Sequence, residues 1–369
     1  MTQTNFDALN DKDADSLIQN VDSKTKRIFE GYEPSEQRAI YRYQFPRKPK
    51  KLPPTMKSRV INLYDPMADR SHKFPDGLRW CANIYVGCYH NCGYCYVNGY
   101  SQNNVGIAPH PKKDFSRNLA KDIHDLRILG VPAAPLHMSN STDPLQAGLE
   151  QNHRHTLLAL QHIKNNRDLF TSIVILTKNP PILLSMDYLA IIADPKMKSF
   201  TVQVTCGFWR DEIRSFYEPG APLIGDRLDA IKELAKLGID VELRIDPLFP
   251  SARVENNIRM HKPLTEYGIP EAQTRDDIQA LVKFAKESGV SSIIAKPLKV
   301  PISKKAQRCK DWFQSIYRDA NGGKGGTVRG GSWRLPDNYQ KAMISTVREA
   351  CDSIGINFKH CMHDVMTRK

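Results

Sequence analysis

The chain has 369 residues, of which 40% are hydrophobic and 25% charged, and its formal net charge at pH 7 is +13. This length allows one large domain with extensions or two modest domains, and the composition is that of an ordinary globular protein. The sequence has no apolar run near the roughly 18 residues that a membrane-spanning helix needs, and its polar, acidic start lacks the apolar core of a signal peptide. We therefore expect no membrane segment and a cytoplasmic location. In such a reducing compartment, clustered cysteines more often bind metal than form disulfides.

Residues 1–75 are predicted to be a flexible, basic extension. Residues 1–36 show no clear hydrophobic period, and the next 28 residues contain no acidic side chain and several prolines. Eight basic residues lie in this second stretch: Arg38, Arg42, Arg47, Lys48, Lys50, Lys51, Lys57 and Arg59. This pattern predicts an extended arm that attracts a polyanion such as DNA or RNA, although a solvated, soluble surface explains the charge equally well.

Short β-branched runs alternate with helical patterns over residues 76–300, which are predicted to form the main domain. The candidate strands cover residues 83–86, 135–139, 172–177, 200–205, 240–246 and 291–295. Between them, Ile224, Leu228 and Ile231 share one helix face, and Thr274 with Asp277 resembles a capping box. Strand–helix alternation implies parallel strands with helical crossovers, so we predict an α/β fold, a partial (β/α)6 TIM-type barrel.

The strand–helix alternation ends after Ala295, and residues 301–369 are predicted to be a C-terminal helical extension. Its glycine-rich stretch 322–331 is expected to be a loop, and a last helix is expected from Asp337 to about Ser353. A second basic stretch runs from Lys296 to Arg334 and adds to the positive field of the chain.

Three cysteines follow the first predicted strand with the spacing C-x3-C-x2-C: Cys88, Cys92 and Cys95. Thiolates select zinc or iron–sulfur clusters, and three thiolates on a four-iron cluster leave one iron open, as a catalytic metal centre requires. The alternative is a zinc site completed by His90 or a remote cysteine, but zinc modules usually carry a second cysteine pair, which this sequence lacks. The other cysteines are scattered: Cys81, Cys206, Cys309, Cys351 and Cys361.

The cysteine motif and several later motifs resemble the radical S-adenosylmethionine (SAM) superfamily and, within it, the spore photoproduct lyase-like family. The later motifs are Ser141-Thr142-Asp143-Pro144-Leu145-Gln146, Leu176-Thr177-Lys178, Val202-Gln203-Val204-Thr205 and Arg244-Ile245-Asp246-Pro247, and with the cysteines they cover about residues 80–250. The resemblance implies a [4Fe–4S] cluster on Cys88, Cys92 and Cys95 that cleaves SAM reductively to a 5′-deoxyadenosyl radical. It also implies an external electron donor of the flavodoxin or ferredoxin type and DNA repair-like or modification-like chemistry on a nucleic acid or another anionic macromolecule.

The resemblance also suggests SAM-binding residues, most of them near the C-terminal ends of predicted strands, where barrel ligands bind. Lys178 is expected to pair with the SAM carboxylate, and the alternative is that it is an ordinary surface lysine. Tyr94 is expected to pack on adenine, and the alternative is that it belongs to the core. The run Ser141, Thr142 and Asp143 is expected beside the amino acid moiety, with a turn as the other role for Asp143. Residues expected to face the barrel interior and reach SAM form a further set: Gln203, Thr205 and Arg244. Arg244 could equally form a buried ion pair with Asp246.

One feature of the family is missing from this sequence. Spore photoproduct lyase carries a hydrogen-donating cysteine just upstream of the Thr/Ser-Asp motif, where this chain has Met138, Ser139 and Asn140. The catalytic thiol is therefore sought elsewhere, with Cys206 and Cys361 as candidates. Two alternatives stay open: a radical SAM enzyme that modifies a peptide or small metabolite, and a non-catalytic zinc or Fe–S protein that binds nucleic acid.

Overall fold

The computed structural model describes residues 10–21, 26, 28–44, 59–63, 78–99, 108–139, 141–252, 254–255, 258–259, 262–319, 327–329 and 331–360. Helices α1 (Asp11–Gln19) and α2 (Pro34–Gln44) lie before the main domain. They are joined by ion pairs, with Arg38 Nη1 3.2 Å from Asp15 Oδ1 and Arg42 Nη2 2.6 Å from Asp11 Oδ1. These helices fall within the residues expected to form a flexible extension, and the acidic residues of α1 partner the first basic residues of the proposed arm. Residues 45–58, which carry most of that arm, lie outside the described part of the chain.

A central sheet of eight strands organises the molecule. Its strands are β1 (Ile61–Leu63), β2 (Trp80–Ala82), β3 (Ala134–Met138), β4 (Phe170–Thr177), β5 (Phe200–Thr205), β6 (Asp240–Leu248), β7 (Ser292–Pro297) and β8 (Phe358–His360). The spatial order follows the chain from β1 to β8, so these two strands form the edges of the sheet in the described residues. Strand β1 pairs antiparallel with β2, and all other neighbours are parallel.

Helices connect the parallel strands as the crossover rule requires. They are α3 (Phe115–Ile128), α4 (Leu149–His153), α5 (His155–Asn165), α6 (Met186–Ile192), α7 (Asp211–Tyr217), α8 (Ile224–Lys236) and α9 (Arg275–Glu287). The capping box of α9 forms as predicted, since the Asp277 amide donates to Thr274 Oγ1 at 3.0 Å and the Thr274 amide donates to Asp277 Oδ2 at 2.9 Å.

The two faces of the sheet differ in chemistry. On the face toward the helices, apolar side chains are fully buried, as Ile173, Val202 and Leu243 illustrate. The alternate residues face the barrel interior, and they include the polar pair Gln203 and Arg244. A closed TIM barrel fills its interior with branched apolar residues, whereas the interior of this open one also carries hydrogen-bonding side chains.

The C-terminal part adds two helices, α10 (Gln307–Asp319) and α11 (Asp337–Ile354). A small antiparallel sheet joins Val300–Pro301, which precedes α10, to Ser332–Arg334 and Thr327–Arg329, which lie between α10 and α11. Two further antiparallel pairs are short: Tyr85–Val86 with His110–Pro111, and Val254–Glu255 with Ile258–Arg259. Short 3-10 turns cover Tyr96–Gly99, Arg167–Leu169, Pro180–Leu184, Leu264–Tyr267 and Lys304–Ala306.

The predicted partial barrel is confirmed, with corrections at its ends. The first parallel strand is Trp80–Ala82, earlier than the predicted 83–86, because the chain already turns toward the cysteines at Asn83. Strands β1 and β8 were not predicted, because each has three residues and such short runs carry little periodicity. Part of the expected glycine-rich loop, Thr327–Arg329, is a strand. Among the described helices, none combines the length and apolar character required to cross a bilayer.

Candidate active site

The cysteine loop leaves β2 at the C-terminal edge of the parallel sheet, the edge where ligands of α/β barrels bind. Cys88 is 7% exposed, and the side chains of Cys88, Cys95 and Val97 pack together. The turn is tight, with Gly87 at a φ of +74° and Asn91 at +47°. The structure thus holds the cysteines predicted to bind the cluster on one tight loop, with Cys88 buried and Cys92 and Cys95 half-buried.

Hydrogen bonds from two other segments hold this loop in place. The Gln146 side chain spans it, accepting from the Tyr89 amide at 2.9 Å and donating to the Gly87 carbonyl at 3.2 Å. On the opposite side, the Gly93 amide donates to the Tyr217 carbonyl at 3.0 Å, and the Gly220 amide donates to the carbonyl of His90 at 3.1 Å. These hydrogen bonds tie the cysteine loop to the segments around Gln146 and Tyr217.

The electrostatics of the loop favour a bound cation. Burial, followed by the negative charge of Asp143, raises the pKa of Cys88 to about 12, and burial also raises the pKa of Cys92 and of Cys95. Each thiolate would therefore be unstable here without a metal to neutralise it. In the described residues, no three His, Cys, Asp or Glu side chains converge closely enough to hold one metal ion. Thiolates are the ligands that iron–sulfur clusters take, so the chemistry of the three cysteines fits such a cluster.

Asp143 ties the cysteine loop to the end of β4. Its Oδ2 accepts from the Lys178 amide at 2.6 Å and lies 3.0 Å from His90 Nε2, while its Oδ1 accepts from the Thr177 hydroxyl at 2.8 Å. Burial opposes its charge, but His90 and these donors lower the pKa of Asp143, which therefore stays ionised. The Asp143 carboxylate therefore connects His90 of the cysteine loop with Thr177 and Lys178 at the end of β4.

The neighbouring residues of the same motif contact the strand before the cysteines. The Ser141 amide donates to Asn83 Oδ1 at 3.1 Å, and the Thr142 hydroxyl lies 3.4 Å from the Tyr85 carbonyl. Both residues are partly exposed, and they stand at the ligand-binding edge beside the loop.

Lys178 lies beside the cysteine loop in a buried polar cluster. Its Nζ is 3.7 Å from Glu218 Oε1 and 5.8 Å from the centre of the Tyr94 ring. Burial works against the ammonium, but Glu218 and then Cys92 raise the pKa of Lys178. Glu218, which is 1% exposed, also accepts from the Tyr94 hydroxyl and from Arg227 Nη2, the latter at 2.6 Å. Tyr94, expected against adenine, is itself buried at 6% exposure, and its ring meets Phe249 edge to face.

The expected interior residues form a hydrogen-bonded row across β5 and β6. Arg244 donates to Gln203 Oε1 at 2.9 Å and to Asp246 Oδ2 at 2.6 Å, and Gln203 donates to Glu242 Oε2 at 2.7 Å. The ion pair between Arg244 and Asp246, which the sequence analysis left as an alternative, is therefore present. Thr205 ends β5 and is buried, and its carbonyl accepts from Arg227 Nη1 at 3.1 Å.

The candidate catalytic thiols are not equally placed. Cys206 is fully buried, and its thiol lies 3.6 Å from the Phe208 carbonyl. Burial raises the pKa of Cys206 to about 11, so it stays a neutral thiol at pH 7. Cys361 lies outside the described residues.

Helix α10 covers the outer side of the cysteine loop. Its Arg308 donates to the Asn91 carbonyl at 3.2 Å, and the Trp312 ring stands so close to Gly93 that a Cβ there would lie 2.1 Å from Trp312 Cη2. Cys309 on the same helix is fully buried. Burial raises the pKa of the Cys309 thiol, and the negative charge of Cys95 raises that pKa further. Sequence reasoning placed Cys309 among the scattered cysteines, because 213 residues separate it from Cys95 and only the fold brings the two together.

Sequence reasoning also missed Glu218 and Arg227. Glu218 follows the end of α7 in an irregular stretch and carries no periodic signal. Arg227 does carry a periodic signal, since it lies three residues after Ile224 and four before Ile231, on the apolar face of α8. A charged residue within such a stripe indicates a buried partner.

The chain is similar to known proteins in sequence and in fold. No family model matches the chain. An uncharacterised protein of Methanocaldococcus jannaschii is 28% identical over 196 residues, covering 52% of this chain and 69% of the relative. An uncharacterised protein of Acidianus two-tailed virus is 21% identical over 227 residues, covering 59% of this chain and 67% of that one.

Among solved structures, a spore photoproduct lyase variant with bound AdoMet and a dinucleoside spore photoproduct aligns with 80% of this chain and 77% of its own, at a TM-score of 0.51 and 13% identity. Spore photoproduct lyase complexed with the dinucleoside photoproduct gives the same coverage at a TM-score of 0.50. The chain therefore has the spore photoproduct lyase fold, which the motif resemblance predicted.

Proposed function

We propose that this chain is a radical SAM enzyme whose [4Fe–4S] cluster is held by Cys88, Cys92 and Cys95. The observation that carries the proposal is the cysteine loop at the C-terminal edge of a partial barrel, where burial disfavours the thiolate forms of all three cysteines unless a metal neutralises them. When bound, such a cluster supplies the electron that cleaves SAM to a 5′-deoxyadenosyl radical. The motif resemblance and the fold similarity support this reading together, and an external donor of the flavodoxin or ferredoxin type would provide the electron.

The protein groups around the loop suit the binding of SAM. Lys178 supplies a partly buried ammonium beside Cys92, and its main chain is fixed by Asp143 at 2.6 Å, so it can orient a carboxylate by a charge-assisted hydrogen bond. Ser141 and Thr142 lie at the same edge and can reach the amino acid moiety. Gln203 and Arg244 belong to a prearranged row in the interior, where a ribose or a substrate group can approach them.

We further propose that the substrate is a nucleic acid or another anionic macromolecule. The lyase of similar fold was solved with a dinucleoside, and the chain carries 53 basic against 40 acidic residues. The surface charge alone supports this less than the sequence suggested, because Arg38 and Arg42 are paired with acidic residues and Arg59 is buried.

A second candidate function rests on Cys309. If that thiol completes the coordination of the cluster, no iron is left open, and the chain would be a non-catalytic Fe–S protein. Burial of Cys309 close to Cys95 favours this alternative, while the polar barrel interior favours the enzyme.

The deciding experiment is anaerobic reconstitution with iron and sulfide, followed by assay of 5′-deoxyadenosine formation from SAM with dithionite, with and without DNA. We expect about four irons per chain and reductive SAM cleavage, with both lost in Cys88→Ala, Cys92→Ala and Cys95→Ala. Cys351→Ala is the matched control, since Cys351 is a buried cysteine on the distant helix α11. Stoichiometric zinc without iron in anaerobically purified protein would refute the proposal.

A further inference from the structure

Glu218 is a buried carboxylate for which the assignments above give no role. It is 1% exposed, and it has three charged or polar partners: Arg227 at 2.6 Å, Lys178 at 3.7 Å and the Tyr94 hydroxyl. Arg227 is itself completely buried. Burying such charges is costly unless they are paired and hydrogen-bonded, and here each carboxylate oxygen has at least one partner.

The backbone around Glu218 is part of the support of the cysteine loop. The residue before it, Tyr217, accepts a hydrogen bond from the Gly93 amide at 3.0 Å, and Gly220 donates one to the His90 carbonyl at 3.1 Å. Because Tyr94 is bonded to the Glu218 side chain, the segment Cys92-Gly93-Tyr94 is attached to Glu218 through both main chain and side chain.

This cluster of charges is therefore built into the wall of the cysteine loop. It contains one anion, Glu218, between two cations, Lys178 and Arg227. In a buried site the effective dielectric constant is low, so each of these charges acts strongly on a neighbouring metal centre. Net charge near the cluster is one of the factors that set the reduction potential of iron–sulfur proteins.

We propose that Glu218 is a positioning residue that holds the Lys178 ammonium beside Cys92 and, through its own charge, lowers the reduction potential of the site. This inference rests on the proposed function, because it requires a cluster on the three cysteines. Removing the carboxylate charge leaves two cations uncompensated, which makes uptake of an electron easier. Removing the Lys178 charge has the opposite effect.

The test compares the midpoint potential of the reconstituted cluster in four proteins, without SAM, by stepwise reduction with dithionite and detection of the reduced cluster by electron paramagnetic resonance. Glu218→Gln keeps the size and an acceptor oxygen, and we expect a shift to more positive potential. For Lys178→Met we expect a shift to more negative potential. The matched control is Glu150→Gln: Glu150 is also 1% exposed and accepts from the Tyr85 and Tyr188 hydroxyls and from the Thr156 and Leu157 amides, so none of its hydrogen-bond partners belongs to the segment from Cys88 to Cys95. Its potential should equal that of the wild type.

The two shifts of opposite sign separate an electrostatic role from a merely structural one, because loss of packing has no reason to follow the sign of the charge removed. Equal potentials in wild type and Glu218→Gln, or a shift of Glu218→Gln in the same direction as Lys178→Met, would overturn the inference while leaving the enzyme assignment intact. If Glu218→Gln fails to assemble a cluster, the test rests on Lys178→Met. A midpoint potential of Lys178→Met that equals or exceeds that of the wild type would then overturn the inference. A wild-type chain that assembles no [4Fe–4S] cluster would overturn the proposed function and this inference together.

Discussion

Replacing Gly93 by alanine tests how strictly the C-terminal helix confines the cysteine loop. A Cβ at this position would lie 2.1 Å from Trp312 Cη2, 2.3 Å from Trp312 Cζ3 and 2.7 Å from Arg308 Nε. Gly93 does not have a left-handed φ, so alanine fits the backbone and the perturbation is one of space alone. Either the indole or the loop between Cys92 and Cys95 must move.

The indole has little room to move. The Trp312 ring centre lies 4.9 Å from that of Phe216 and 5.3 Å from that of Tyr217, and Arg308 covers it at 5.2 Å. Inserting one methyl group into packing of this kind typically costs about 1–3 kcal/mol. We expect Gly93→Ala near the upper end of this range, together with a reduced iron content, because displacement of the loop also separates the thiols.

The assay is urea unfolding of the iron-free chain, with iron stoichiometry measured after reconstitution. Trp312→Leu should restore most of both losses in the Gly93→Ala background, since the smaller side chain makes room for the methyl group. The control is Gly225→Ala in helix α8, where a Cβ meets nothing within 4 Å, and where alanine should stabilise by about 0.5–1 kcal/mol. A Gly93→Ala protein with wild-type stability and full iron content would show that helix α10 does not confine the loop.

Two other outcomes follow from buried groups. Arg59 is 3% exposed and bonded to Asp122 at 2.8 Å and Asp125 at 3.1 Å. Arg59→Met should cost about 3 kcal/mol of unfolding free energy, because Asp122 then keeps only backbone amide donors and Asp125 keeps only Lys121, whereas the exposed Arg127→Ala should change urea unfolding little. Cys309→Ser should keep the iron content and SAM cleavage of the wild type if three cysteines hold the cluster, and loss of the cluster in this variant would favour the closed Fe–S site.

The sequence was most informative where chemistry and periodicity coincide. The spacing of Cys88, Cys92 and Cys95 and the strand–helix alternation together predicted a cysteine loop at the edge of a partial barrel. Helix α8 and the capping box of α9 were also predicted, because their signals are local and lie within a few residues.

The remaining parts depend on contacts between distant residues, which one sequence does not contain. The partners of Arg59 lie 63 and 66 residues away on helix α3, so the residue was counted as part of a basic arm. Glu218 lies 124 residues from Tyr94, and its role depends on how the end of α7 meets the cysteine loop. In both cases a hint was present, since Asp122 and Arg227 interrupt apolar helix faces that otherwise point into the core.

The hydrogen donor of the proposed reaction gives the last prediction. Cys206 follows β5, and strand alternation places it on the same side as Val202 and Val204, away from the face that carries Gln203. Its burial and the nearby Phe208 carbonyl keep the thiol in the protein core. We therefore expect Cys206→Ala to retain wild-type turnover of DNA that carries the spore photoproduct, if that DNA is a substrate, and to lose stability instead, since a cavity forms. Product released by the variant from D2O buffer should contain as much deuterium as product of the wild type. A Cys206→Ala protein that cleaves SAM normally but no longer returns a solvent-derived hydrogen to the product would show that this buried thiol is the donor after all.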